Sequence, residues 1–245
     1  MINFIMIRLR FMIFLFVLHP DCARCQSKEL VVARYLHAIG GKEKWLSIET
    51  KMDSSIIIKF PGEGQLGHSQ LADTTHIVTW YSRPNLQRIY RFGKEVSPST
   101  LGFDGRVLWT RSGGITKVQS FEESEYFKST IMLSSVDLFL EEATQITYEG
   151  ALELDGKRFD VLKVKREAWI FSSLYYFSED SGLLYCAISH ESVSKMRTYF
   201  KNYRSVNGVL WAHLEEMHVA GAITEIAINL KIELNKKMSV KEFQP

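Results

Sequence analysis

Residues 197–235 read RTYFKNYRSVNGVLWAHLEEMHVAGAITEIAINLKIELN: three apolar runs cut by two turn pairs, Asn207-Gly208 and Ala220-Gly221. The same punctuation extends back to residue 145, through Asp155-Gly156 and Asp180-Ser181-Gly182. Asn-Gly and Asp-Gly suit tight hairpin turns because both central positions take positive φ. No helical pattern of roughly 10–15 residues separates the runs, so crossover connections are not expected. Residues 145–235 therefore predict antiparallel strands, each beside the next. In the last run Ile226, Ile228 and Leu230 alternate with Glu225, Asn229 and Lys231. This alternation predicts one buried face and one wet face. A large sheet with one apolar face needs a cover, and what covers it is the functional question.

Working outward, Ser27 can cap a helix over residues 28–39, with Leu30, Ala33, Leu36 and His37 on one stripe and Gly40-Gly41 as the stop. A short helix over residues 43–46 is expected to turn Trp45 and Leu46 inward. An amphipathic strand follows, with Met52, Ser54, Ile56, Ile58 and Phe60 set against Lys51, Asp53, Ser55 and Lys59. Residues 65–74 are polar and read as a loop. Three further strands are expected at 75–82, 86–92 and 107–111. Residues 121–142 break this pattern. Phe121, Tyr126, Phe127, Ile131, Leu133, Val136, Leu138 and Leu140, interleaved with acids, predict one or two helices. An insert between two blocks of strands is the natural lid or plug for the apolar face. The fold class is thus mainly β with some helix, a large antiparallel sheet carrying an N-terminal helix and a helical insert.

The chain has 245 residues, 46% of them apolar, enough for a sizeable core in one domain over residues 26–245. The net charge of +2 is accounted for by Arg8, Arg10, Arg24 and Asp21, all within residues 1–25. The remainder is neutral, which gives no support for a nucleic-acid partner. Residues 1–25 read as an export signal. Arg8 and Arg10 precede an apolar run from 11 to 18, His19-Pro20 breaks it, and Ala23-Arg24-Cys25 resembles a small-x-small cleavage site before Gln26. Arg24 and Asp21 stand where a lipid-modified cysteine wants a small neighbour, so cleavage is favoured over lipidation of Cys25 or Cys22. Cleavage leaves Cys186 as the sole cysteine, best taken as a small buried hydrophobe.

No motif for catalysis stands out. His213 and His218 are five apart on a predicted strand, hence on opposite faces, and His68, His76 and His190 lack neighbouring ligand types. There is no nucleophile elbow, phosphate-binding glycine loop or Cys-x-x-Cys. The expectation is a protein without metal, cofactor or catalytic residues. The aromatics carry the remaining signal. Taken singly they are ordinary core and cross-strand pairs. Taken together they can line an apolar trough for a lipid chain. The candidates are Trp80, Tyr90, Phe92, Trp109, Phe127, Ile131, Phe171, Tyr175, Phe177, Tyr199 and Trp211. Trp169 belongs to the same recurrence. Residues 174–177 are apolar on both faces, so the sheet there is covered twice or one face holds a ligand.

Five motifs in order give a resemblance. Tyr35-Leu36-His37-Ala38-Ile39-Gly40-Gly41 ends the first helix; Tyr81-Ser82-Arg83-Pro84-Asn85 precedes Arg88. Phe103-Asp104-Gly105 is followed by Leu108-Trp109, and Phe200-Lys201-Asn202-Tyr203-Arg204 by Val206-Asn207-Gly208. The chain closes on Ile232-Glu233-Leu234-Asn235 and Phe243-Gln244-Pro245. Together they resemble the LolA-like family of outer-membrane lipoprotein-sorting proteins, in a divergent form. Ala212 stands where the family often has Pro, and the loop at 64–74 is longer. The resemblance implies an antiparallel half-barrel curled around the insert with an apolar cavity between them. It implies a periplasmic, non-catalytic carrier of lipid or lipoprotein acyl chains, with a membrane-bound donor or acceptor protein as a further partner. The alternative is a periplasmic sensor or scaffold that uses the half-barrel to bind a protein. An exported hydrolase with carboxylates that meet only in the fold is a third reading. A dry pocket, an exposed apolar patch and a close buried pair of titratable groups would respectively distinguish them.

Overall fold

A computed structural model describes residues 27–61, 73–142, 144–166, 171–189 and 196–245. Among these, thirteen strands pair into one antiparallel sheet, which is open and curved. The first block is β1 (Thr50–Lys59), β2 (Asp73–Ser82), β3 (Leu86–Gly93), β4 (Ser99–Phe103), β5 (Leu108–Ser112) and β6 (Ile115–Val118). The second is β7 (Thr144–Leu154), β8 (Lys157–Arg166), β9 (Ser173–Ser178), β10 (Leu184–Ser189), β11 (Arg197–Val206), β12 (Val209–Val219) and β13 (Ala222–Leu234). Strand order is β6-β5-β4-β3-β2-β1-β13-β12-β11-β10-β9-β8-β7. Each block is a meander, and the two join where β1 pairs with β13. The insert leaves one edge of the sheet at β6 and reaches the other at β7. It holds helix α3 (Phe121–Thr130) and the 3-10 turn η1 (Ser135–Phe139), and it carries Ile131, Leu133, Val136 and Leu138 into the core.

The hairpins form for the expected reason. Asp155-Gly156, Asn207-Gly208 and Ala220-Gly221 all have positive φ at both positions, the signature of the tightest turns. The Ser27 hydroxyl caps helix α1 (Lys28–Ala38), and a reciprocal Ser120–Glu123 box starts α3. Strands β4 and β6 are additions to the sequence reading. β6 is exposed along its length, so no burial pattern marks it, and Gly102 interrupts β4. The buried stripe of α1 is Val31, Tyr35, Leu36 and Ile39, while Leu30, Ala33 and His37 are exposed. The observed spacing follows the i, i+4, i+8 row rather than the i, i+3, i+6 row. In helix α2 (Lys42–Leu46) Trp45 is buried but Leu46 faces solvent. Of the polar stretch 65–74, residues 73 and 74 already open β2; the rest lies outside the described residues, as do residues 1–25, expected as a leader, and His68, Trp169 and His190.

The registers correct the assignment of faces. Tyr81 lies in the core and pairs with Lys51, and Leu234, also in the core, pairs with Lys51 from the other side. Partners across a ladder share a face, so Lys51 and Asp53 point to the concave side. Ile56 and Ile58 pair with Ile228 and Ile226 on the convex side. A bulge opposite Ser54 and Ser55 then adds a residue to β13: Leu230 falls out to solvent, and Ile232 and Leu234 turn inward. The alternation in β13 is real. Before the bulge its inner residues are Ala227 and Asn229, not Ile226 and Ile228, because both faces of this sheet carry apolar groups.

The convex face has its own covers. Phe159, Val161, Tyr176, Cys186 and Tyr199 make a second apolar cluster. Burial pushes the Cys186 thiol up to about 12, in keeping with a small hydrophobe rather than a reactive group. Further along, the C-terminal turn η2 (Val240–Phe243) closes on Trp109. The Trp109 indole N–H donates to the Phe243 carbonyl at 2.8 Å, and Arg88 donates to that of Glu242. Trp109 lies flat against Gly102, where any Cβ would come within 2.3 Å of the indole ring.

Candidate functional site

Between the concave face and its cover is a recess of about 500 Å³. Its roof is Tyr35 of α1, Trp45 of α2 and the segment 133–136 that leads into η1. Its floor comes from six strands. Ser173, Ala187, Ser189, Ala212 and Ala227 are small, which is why the aromatic roof does not close onto the sheet. Tyr175, Phe200, Tyr203 and Trp211 supply the large side chains of the wall, and Trp45 packs on Trp211 with ring centroids 4.8 Å apart.

The roof is fixed by polar ties. Arg34 of α1 and the Tyr148 hydroxyl both reach the fully buried Asp160 on β8. Arg83 donates to Asp137 of η1 at 3.0 Å and to the Ile48 carbonyl at 2.8 Å, and Asp137 also accepts the Leu133 amide. The turn between α1 and α2 is wedged against the β11–β12 hairpin. A Cβ on Gly40 would meet the Gly208 carbonyl oxygen at 2.5 Å, and the Leu210 amide donates to the Ile39 carbonyl. There β12 leaves β13, with which it pairs only from Leu214 and Ile228 onward. Asn229 bridges the gap by donating to the Ala212 carbonyl at 3.1 Å.

The floor is not uniformly apolar. Lys51 Nζ lies 2.8 Å from an Asp53 carboxylate oxygen and 5.1 Å from the centroid of the Trp211 ring, so it is compensated on two sides. Glu215 on β12 shares the recess wall, and the structure gives its carboxylate no hydrogen-bond donor among the described residues. Burial raises its pKa above the ordinary carboxylate value; Lys51 opposes the rise, and Asp53 and Glu225 add to it. Beside it, burial holds the Tyr203 phenol well above its usual range, and the hydroxyl donates to the Leu184 carbonyl. Two residues from Glu215, His213 has no hydrogen-bond partner at Nε2 among the described residues; its Nδ1 lies 3.0 Å from the Asn229 carbonyl, which requires the proton on Nδ1.

Of the eleven aromatic and aliphatic candidates, the structure brings Tyr175 and Trp211 to the recess. Phe177 and Ile131 are buried in the adjoining core, where Phe177 packs on Tyr35 and Phe139. Phe127 lies half-buried against Phe103. Trp80, Tyr90, Phe92 and Trp109 belong by register to the convex face, and Tyr199 to its apolar cluster. Phe171 is exposed. Sequence reasoning missed Tyr35, Trp45, Lys51, Asp53 and Glu215. The signal for the β1 pair was present in its alternation, with the charged side assigned to solvent.

No protein-family model and no curated protein matches the chain. Solved structures do. A LolA-superfamily protein from Nitrosomonas europaea superposes with a TM-score of 0.62 at 11% identity, over 90% of this chain and 99% of that one. The fold is LolA-like. A putative outer-membrane lipoprotein-sorting domain from Vibrio parahaemolyticus shares this LolA-like fold at TM-score 0.54 and 9% identity, covering 86% of this chain and 97% of its own. A DUF1329-family protein from Desulfovibrio piger gives 0.59 at 9%, over 88% and 96%. The LolA-like half-barrel expected from the five motifs is thus the observed architecture, with the crossing insert as its cover.

Proposed function

We propose that this chain is an exported, non-catalytic carrier that holds acyl chains of lipids or lipoproteins in the recess beneath the insert. The observation that supports it best is the recess itself: about 500 Å³, roofed by Tyr35, Trp45 and Leu133, in a LolA-like fold. That volume is within the range of roughly 300–1,000 Å³ typical of ligand sites. Each methylene that leaves water for such a wall gains about 0.8 kcal/mol. On this reading residues 1–25 direct export to the periplasm and are removed. The test is native mass spectrometry of protein purified from its own periplasm, together with displacement of a neutral, environment-sensitive naphthylamine dye by long-chain amphiphiles. Co-purified lipid and saturable displacement are expected. A lipid-free protein from which no amphiphile displaces the dye would sink the proposal.

The second reading, a scaffold or sensor that binds a protein, is favoured by one feature. Ile115, Val118, Phe121 and Tyr126 all stand in solvent on β6 and α3, at one edge of the sheet. A partner captured by the intact protein and lost from Phe121→Lys, with no lipid in the recess, would favour that reading over the first.

A further inference from the structure

The recess is amphiphilic, and its polar groups are not equally provided for. Lys51 is held between Asp53 and the Trp211 ring. Asp53 has Lys51. Asn229 donates to the Ala212 carbonyl. Glu215 has neither a donor nor a contacting cation among the described residues, and it lines the recess as a partly exposed side chain. Water in the recess supplies what solvation this largely buried carboxylate keeps. A purely apolar occupant would expel that water and leave a buried charge without a partner, which costs several kcal/mol. An occupant with an anionic head would add a like charge beside it. An occupant with a cationic, hydrogen-bond-donating head would restore what the water supplied.

We infer that Glu215 is the head-group anchor of the recess, and that the preferred cargo is an amphiphile with a protonated amine head, its hydrocarbon laid between Trp45, Tyr175 and Trp211. This rests on the carrier reading and goes beyond it by naming the polar end of the ligand and the side chain that takes it. The raised carboxyl pKa has the same origin: an acid kept from solvent with too little positive charge nearby. Lys51 does not serve an anionic head equally well, because its charge is already shared between two partners.

The test uses the mature protein loaded with the neutral naphthylamine dye and challenged with dodecylamine, dodecanol and dodecanoate. Dodecylamine should displace the dye at a concentration at least about tenfold below that of dodecanoate, a difference of ~1.4 kcal/mol, with dodecanol between them. Glu215→Gln, close in shape and uncharged, should bring the amine and the acid to within about threefold of each other. Lys51→Met, an independent variant, should widen the preference for the amine by removing the cation that opposes it among the described residues. Equal potency of amine and acid on the native protein overturns the anchor while leaving the carrier reading in place. So does a preference that survives Glu215→Gln, or one that narrows in Lys51→Met. If none of the three displaces the dye, both proposals fall.

Discussion

At the scale of single residues, the site is decided by which side of a strand a charge occupies. Lys51 and Asp53 alternate with Met52, Ser54 and Ile56, and the ordinary inference from such a pattern sends the charges to water. The registers send them inward, onto the concave face. Nothing local to β1 reveals this, since the periodicity is the same for either choice; only the curl of the whole sheet decides it. Glu215 has a thermodynamic signature of its own. Its folded-state pKa is raised above 4.5, so the folded state binds the proton more tightly than the unfolded one. Stability therefore falls as pH rises from about 4.5 through the raised value, and the full cost is present above it. Glu215→Gln should accordingly raise the thermal midpoint at pH 7, and the gain should fade at pH 4. A gain of equal size at both values would show that the side chain is not burdened by its charge. Leu36, 7% exposed on the inner stripe of α1, gives a second test. Leu36→Asp should cost on the order of 2–4 kcal/mol in a denaturant titration by placing an unpaired charge in the core.

At the scale of elements, turn chemistry was the most legible part of the chain. Asn207-Gly208 and Asp155-Gly156 fix their hairpins through backbone geometry that few other residues tolerate, so they speak locally. β4, β6 and the C-terminal turn were illegible for the opposite reason. β6 buries nothing, and β4 runs through Gly102, whose lack of a side chain makes room for Trp109 from the neighbouring strand. η2 is held by single long-range contacts rather than by a periodic face. It should matter nonetheless: removing residues 240–245 exposes Trp109 and withdraws Phe243, which is 1% exposed. The loss should be about 2–3 kcal/mol, with a red shift in tryptophan emission. The insert is tied down by Asp137, 2% exposed, which accepts from both Arg83 and the Leu133 amide. Asp137→Ala should cost about 3 kcal/mol, and hydrogen exchange should quicken first in residues 131–140, the roof of the recess.

At the scale of the molecule, half-barrel and cover were legible because order of elements is a property of sequence, whereas the recess is a difference between two surfaces. Its existence depends on five small floor residues opposite an aromatic roof, contributed from strands far apart in the chain. The proposal that residues 1–25 are a removed leader is tested separately, by N-terminal sequencing of the mature protein, which should begin at or near Gln26. The strand order also carries a consequence for how the molecule comes into being. Every hairpin in the two meanders joins neighbours in sequence, and each can form as soon as its own residues are available. The β1–β13 ladder is different, for it pairs Lys51 with Leu234 across nearly the whole described chain. Closing so long a loop has a large entropic cost that must be met before any contact in the ladder repays it. The seam should therefore be the last part of the sheet to assemble and the step that sets the folding rate. Pulse-labelled hydrogen exchange during refolding should find the amides of β11 and β12 protected before those that bind β1 to β13. Until that seam closes, β1 and β13 are two bare edges on one chain, and that interval is when a newly made molecule is most exposed to aggregation.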